Sequence, residues 1–351
     1  MNYERINMPK EFLVTAPKTI EFRDYIEPPL KPDEVRVRSL VSGIKHGTEM
    51  ALYSGITPFL EKEFDPELRI FRIRKDKSFY PLNLGSWLVG DIIETGSAVK
   101  RLKIGDWVHG GMPHRPTNVV KEDDLYLLDK GMKPETALFT DPTIFALQAV
   151  HDAQIKVGDK IAIFGLGAIG LLALQIARMN GAKCVFVVDV LANRLELARQ
   201  FGADEVFNAN LCNVGLEIKK LTDNKGVDVA IDLSGDYKAL QDAIRSIHVG
   251  GLMVTASYFK GDCHNLQLGA EWHHNRVTMV SSMPVWGMPH RCYPMWDLKR
   301  IEKTALCLLE NGQLITDPMV SRRFPYSQAK EAYQFIDKNP ETAVKVLFDY
   351  Q

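Results

Sequence analysis

Hydrophobic positions along this chain follow two rhythms, and the change between them divides it. Up to about residue 145, apolar and polar residues alternate in short runs. Examples are Val35-Arg36-Val37-Arg38-Ser39-Leu40-Val41, Leu88-Val89-Gly90-Asp91-Ile92-Ile93-Glu94 closed by Thr95-Gly96-Ser97, and Ile104-Gly105-Asp106-Trp107-Val108. A period of two is that of a half-buried strand. With Pro and Gly punctuating the region, a compact β domain with long loops is expected. Residues 54–79 break the alternation with Glu61, Lys62, Glu63, Asp65, Glu67, Arg69, Arg72, Arg74, Lys75 and Lys77. They read as an insertion or lid, or equally as a solvated charged loop.

From about Phe145 to about His290, near-continuous apolar runs alternate with helical stretches. The runs are Lys160-Ile161-Ala162-Ile163-Phe164, Cys184-Val185-Phe186-Val187-Val188, Val227-Asp228-Val229-Ala230-Ile231 and Gly251-Leu252-Met253-Val254-Thr255. Such strands belong to a parallel sheet covered on both faces. The spacing predicts a helix over 168–180 ending at Gly181, another over 297–310 stopped by Asn311-Gly312, a third over 327–338, and a final strand over 343–348. The expected fold is α/β: a β domain over 1–145, a doubly wound parallel-sheet domain over 146–290, and a return to the first domain over 291–351.

Within the second region, Gly165-Leu166-Gly167-Ala168-Ile169-Gly170 follows an apolar strand and opens a helix. That context turns a weak pattern into a dinucleotide-binding fingerprint. Gly165 permits the tight turn, Gly167 lets the backbone approach a pyrophosphate, and Gly170 lets helix and strand pack closely. The helix N-terminus offers unpaired N–H groups to phosphate. Asp189 ends the next strand, where a carboxylate accepts hydrogen bonds from both ribose hydroxyls. It also repels a 2′-phosphate, by about 4 kcal/mol at a few ångströms and an effective dielectric near 20 before screening, so NAD is expected rather than NADP. Arg194 either pairs with Asp189, reaches a phosphate, or is a solvated helix residue.

Composition narrows the partners. Of 351 residues 46% are hydrophobic and 25% charged, which suits a large buried core. Lys+Arg of 43 against Asp+Glu of 44 leaves a net charge of -1, no footprint for nucleic acid or an anionic membrane. No apolar run has the length of a membrane span, and MNYERINMPKEF lacks a signal peptide's apolar stretch. The cysteines Cys184, Cys212, Cys263, Cys292 and Cys307 are scattered without a CxxC pair. A reducing cytoplasm is expected, with neither a disulfide framework nor a thiolate zinc site.

Several motifs together resemble the medium-chain dehydrogenase/reductase superfamily, the zinc-type alcohol and polyol dehydrogenases, over essentially the whole chain. They are Ser42-Gly43-Ile44 leading into Gly47-Thr48-Glu49, Leu84-Gly85 with Val89-Gly90, Gly105-Asp106, Asp141-Pro142, Val157-Gly158-Asp159, the glycine turn, and Ala198-Arg199-Gln200-Phe201-Gly202-Ala203-Asp204. Lys45-His46-Gly47-Thr48-Glu49, Pro58-Phe59, the Val89-to-Glu94 run and Lys299-Arg300-Ile301-Glu302 resemble its bacterial D-guloside 3-dehydrogenase-like subgroup. The resemblance implies a GroES-like catalytic domain completed by the C-terminal segment, a Rossmann domain, a small-molecule sugar or polyol substrate in the cleft between them, and a dimer or tetramer.

The resemblance also shows a departure. The superfamily's zinc takes a Cys at Lys45 or His46, a His after Leu84-Gly85, and a third ligand at Asp141. Ser86 and Trp87 stand where His-Glu is usual, and the four-cysteine structural lobe is absent. Catalytic zinc is therefore not expected; the alternative is a metal held by His46 and Asp141 with a third ligand from elsewhere. Without zinc another group must polarise the reacting oxygen. A lysine whose pKa is lowered by burial can exchange the proton and stabilise an alkoxide, which makes Lys45 the candidate. Asp141 is expected to orient it, Thr48 to relay the proton, and His46 is the competing base.

Substrate contacts are expected from Glu49, Trp87 and His273, with Trp286 and Trp296 as further aromatic platforms or core residues. His273 and His274, read as strand neighbours, face opposite ways, so one at most would serve. The reading is NAD-dependent oxidation of a secondary hydroxyl. Its rivals are an NADPH-linked zinc-free reductase of quinones or enones, and a nucleotide binder without turnover.

Overall fold

The computed structural model describes residues 8–75, 79–129, 131–284 and 295–350. The chain forms two compact units, residues 1–138 with 320–351, and residues 139–319. The first begins with a hairpin of β1 (Lys10–Ala16) and β2 (Thr19–Asp24), followed by β3 (Glu34–Gly43) and the short helix α1 (Thr48–Ser54). Within the charged stretch, β4 (Lys62–Asp65) and β5 (Ile70–Ile73) form an antiparallel hairpin, with Phe64 opposite Phe71, and Lys77 lies outside the described residues. Next come β6 (Trp87–Thr95), β7 (Trp107–Gly111), β8 (Thr117–Lys121), β9 (Leu125–Leu127) and the single turn α2 (Pro134–Ala137).

The second unit opens with α3 (Thr140–Asp152). It alternates β10 (Lys160–Phe164), α4 (Ala168–Met179), β11 (Cys184–Asp189), α5 (Ala192–Gln200), β12 (Glu205–Asn208), α6 (Val214–Leu221), β13 (Val227–Asp232), α7 (Tyr237–Ser246), β14 (Ile247–Thr255) and β15 (Thr278–Ser281). These strands pair in parallel in the order β12-β11-β10-β13-β14-β15. Strand order reverses between β10 and β13, the switch point where open α/β sheets bind ligands at their strands' carboxyl ends. Phe186, Val188, Ala230 and Met253 pack beneath α6 and α7 in one apolar cluster. The last helix here, α8 (Leu298–Glu310), starts at Asp297, whose side chain caps the Arg300 N–H, and stops before Asn311 and Gly312. This helix, expected in the segment returning to the first domain, packs within the second unit.

The chain then returns to the first unit as β16 (Val320–Pro325), α9 (Ala329–Lys338) and β17 (Lys345–Asp349). A seven-stranded sheet runs β16-β17-β3-β6-β7-β9, with β8 also on β3. One row of register joins Leu347, Gly43, Trp87 and Gly111 across β17, β3, β6 and β7. The end of β3 and the start of β6 therefore lie side by side. Val35, Val37, Leu88, Ile92 and Val108 form one core cluster of this unit. Phe12, Ile44, Tyr53, Tyr333 and Phe348 belong to another, against α9. Among the described residues, no helix is long and apolar enough to cross a membrane.

Candidate active site

In the second unit the glycine turn follows β10 directly. The Gly165 N–H donates to Val188 C=O at 2.9 Å and the Leu166 N–H to Asp189 Oδ2 at 2.7 Å. Gly165 has φ of +87°, and a Cβ there would lie 2.6 Å from the Ser234 backbone. Only glycine fits that turn. A Cβ on Gly170 would sit 1.9 Å from Gly165 O, whereas one on Gly167 would meet nothing within 4 Å. The open face is at Gly167, the place a pyrophosphate needs. The first α4 bond runs from the Leu171 N–H to Gly167 C=O. The N–H groups of Ala168, Ile169 and Gly170 thus point out of the helix start as donors for an anion. The Leu166 side chain is buried, so that residue acts through its backbone.

The Asp189 carboxylate is largely committed already. Oδ1 accepts the N–H groups of Val190 and Leu191 at 2.8 and 2.9 Å, and Oδ2 accepts that of Leu166. The Arg194 guanidinium stands 3.7 Å from Oδ2. Backbone N–H groups thus already engage three of the about four lone-pair sites of this carboxylate. Of the alternatives for Arg194, the structure shows the pairing with Asp189.

In the first unit Lys45, His46, Thr48 and Glu49 form one turn between β3 and α1. Its backbone is tied to β17, with the Ile44 N–H donating to Val346 C=O at 3.0 Å and the Val346 N–H donating to His46 Nε2 at 3.3 Å. That bond engages the Nε2 lone pair and places the neutral ring's proton on Nδ1. His46 is thereby poorly suited, through Nε2, to act as base or metal ligand. Lys45 is half-buried and Thr48 exposed. Glu49, expected at the substrate, is only 3% exposed. Its Oε1 accepts the Lys45 N–H at 2.8 Å; its Oε2 accepts from His114 Nε2 at 3.1 Å and from the Tyr333 hydroxyl at 2.5 Å. Burial pushes the Glu49 carboxyl up, but His114 and these donors outweigh it and hold its pKa below the usual carboxylate range. Glu49 thus organises the turn and does not face solvent.

Two buried residues of this unit gave no sequence signal. Lys345 is 3% exposed, and Gly43 makes room for it: a Cβ there would lie 2.6 Å from Lys345 Cε. His114, fully buried, sits in the loop between β7 and β8. Gly85, with φ of +155°, lets that loop pass, since a Cβ would lie 2.4 Å from Pro113 Cα.

Trp87 is buried at the start of β6, and its indole N–H donates to His109 Nδ1 at 3.0 Å. Tyr126 stacks on both rings. Trp87 is therefore anchored as part of an aromatic cluster. Asp141 lies in the first turn of α3 in the second unit. His273 and His274 follow the helical turn Leu268–Trp272, and both are exposed. They lie in helical backbone, so the strand-based argument about their opposite faces does not hold. Trp296 packs against His151 at 4.4 Å with the Arg300 guanidinium over its ring, while Trp286 lies outside the described residues. Among the described residues no group of three His, Cys, Asp or Glu is placed to hold a metal.

The family described as zinc-binding dehydrogenase matches residues 168–299. D-guloside 3-dehydrogenase of Escherichia coli (strain K12) is 36% identical over 346 residues, covering 96% of this chain and 99% of that protein. Sorbitol dehydrogenase 1 of Saccharomyces cerevisiae (strain ATCC 204508 / S288c) is 25% identical over 304 residues, covering 76% of this chain and 81% of that one. Among solved structures, 2R,3R-butanediol dehydrogenase from Bacillus subtilis superposes with a TM-score of 0.79 at 22% identity, over 98% of this chain and 100% of that one. At that identity the superposition shows the fold: a GroES-like β unit and a Rossmann unit.

Proposed function

Since the chain belongs to the zinc-binding dehydrogenases of the medium-chain dehydrogenase/reductase superfamily, we propose that it oxidises a secondary hydroxyl of a sugar, glycoside or cyclic polyol to the ketone with NAD and without catalytic zinc. The observation that carries this reading is the glycine turn tied to Asp189, in a chain so similar to a guloside dehydrogenase. When bound, the nicotinamide supplies the hydride acceptor. The α4 N-terminus holds the phosphates. The Asp189 carboxylate accepts the ribose hydroxyls, and Arg194, already beside it, partly offsets its charge. The hydroxyl proton of the alcohol passes to the Lys45 amine, with Thr48 as the relay. Lys45, Thr48 and Asp141 are the residues proposed to carry the chemistry.

The donor set does not fit zinc. Ser86 and Trp87 replace a usual ligand and its neighbour, the Trp87 N–H is committed to His109, and the Nε2 lone pair of His46 is engaged by backbone. Metal analysis after dialysis against a chelator, run beside the activity assay, should find no stoichiometric zinc. One tightly held zinc per chain, with activity lost on its removal, would overturn this part of the reading.

Calorimetric titration should show NAD binding at least about tenfold more tightly than NADP. Asp189→Ser should narrow the gap by about 1–2 kcal/mol after screening. A sugar and polyol panel with NAD then identifies the alcohol. Preference for NADP with turnover of enones would favour the reductase, and tight NAD binding with no turnover on any substrate would favour a binder.

A further inference from the structure

We infer that His114, acting through Glu49, is a positioning residue that fixes the Lys45 turn by a chain of buried hydrogen bonds. The inference deepens the proposed function and rests on its assignment of Lys45 as the acid–base group. The chain of bonds spans most of the first unit's sequence. Tyr350 Oη lies 2.9 Å from Ser42 Oγ, Ser42 Oγ lies 2.7 Å from His114 Nδ1, and His114 Nε2 lies 3.1 Å from Glu49 Oε2. Tyr333 reaches the same carboxylate oxygen from α9, and Lys45 N–H reaches the other.

The chemistry of the donors fixes the direction of the bonds at Glu49. An ionised carboxylate accepts and cannot donate. The Tyr333 hydroxyl therefore donates to Glu49, and His114 carries hydrogen on Nε2 and donates it. Ser42 and Tyr350 hold the far side of the same ring through Nδ1.

The ring that transmits this is held on both faces. Phe12 stacks on His114 at 6.1 Å and 26°, and Phe348 meets it edge-on at 5.1 Å and 79°. The Tyr326 hydroxyl donates to His114 C=O at 3.1 Å, and the His114 N–H donates to Leu84 C=O at 2.8 Å. Glu49 in turn grips Lys45 twice, since its own N–H donates to Lys45 C=O at 2.9 Å.

The test uses the full chain. Tyr333→Phe removes one donor and keeps the ring. His114→Leu removes both imidazole bonds, and His114→Gln keeps an N–H donor within reach of Glu49. Each is made alone and with Lys45→Met. Nucleotide affinity, kcat and KM on the best alcohol are measured, together with acylation of Lys45 by an amine-reactive ester, read by peptide mass spectrometry against exposed Lys156.

We expect Tyr333→Phe to lower kcat about tenfold, with KM and nucleotide affinity within about twofold, because a misplaced acid–base group costs rate more than binding. The loss should vanish in the Lys45→Met background, His114→Gln should retain more kcat than His114→Leu, and Lys45 labelling should change by about threefold or more while Lys156 stays constant. If the Tyr333→Phe and Lys45→Met losses multiply, the network acts on the fold and the inference fails. Unchanged Lys45 labelling in Tyr333→Phe overturns it as well, even if His114→Leu fails to fold. If no alcohol is oxidised by the wild type, the functional reading fails, and the labelling still decides the positioning.

Discussion

Asp232 ends β13 fully buried, with Oδ1 accepting from the Ser234 N–H and hydroxyl and no partner for Oδ2 among the described residues. Burial pushes its pKa up to about 6, the bonds from Ser234, Ser257 and Gly235 offsetting only part of the effect. A carboxyl raised in the folded state favours folding while protonated. That contribution is full below the unfolded value near 3.8 and is lost as pH rises through about 6. At 1.36 kcal/mol per unit the loss approaches about 3 kcal/mol. His109 works the other way. Burial holds its pKa at about 4, so its contribution is present above the unfolded value of 6.5 and lost as pH falls. Asp232→Asn keeps an acceptor for Ser234 and removes the charge, and His109 is common to both proteins, so their difference isolates Asp232. Urea midpoints should show the Asn variant gaining on the wild type between pH 4 and 7, by up to about 3 kcal/mol. A difference independent of pH would show that the carboxyl does not titrate in this range.

At the level of elements, the glycine turn gives a paired prediction. Gly170→Ala puts a Cβ 1.9 Å from Gly165 O, so helix and strand must separate, at about 1–3 kcal/mol of stability. Gly167→Ala enters open space and should leave stability within about 0.5 kcal/mol. It should nonetheless weaken NAD binding about tenfold or more, because the space it fills is the proposed phosphate approach. Unchanged affinity in Gly167→Ala, read by fluorescence titration, would remove the turn from the nucleotide site. This turn was legible in sequence because glycines, apolar strand and helix start are contiguous, and β10, β11 and β13 were legible because burial on both faces makes them continuously apolar. The β4–β5 hairpin was not, since Ile70, Phe71 and Ile73 are all exposed and the run carries no alternation of inside and outside. The partners of Glu49 were illegible for another reason. His114, Tyr333, Ser42 and Tyr350 are single residues far apart in sequence, brought together by β3–β17 pairing, the seating of α9 and the β7–β8 loop held at Leu84.

For the molecule as a whole, the chain leaves its first unit at residue 138 and re-enters it at 320, and each unit has its own apolar clusters. Two-state unfolding is therefore not guaranteed, and a ligand shows which elements unfold together. The glycine turn, Asp189 and Arg194 all lie in the second unit. A ligand that binds only the folded form stabilises by RT ln(1 + [L]/Kd), about 2.7 kcal/mol at a hundredfold excess over Kd. With NAD at that concentration, amides of β10, β11, β13 and α4 that exchange by unfolding of the second unit should slow by about a hundredfold. Amides of β3, β6 and β7 should keep their rates if the first unit opens independently, and that is the expected pattern, since their hydrogen bonds and core contacts lie within the seven-stranded sheet. Equal slowing in both units would show that the two unfold as one cooperative body. No slowing in β10, β11, β13 and α4 would mean that the nucleotide does not bind at the glycine turn.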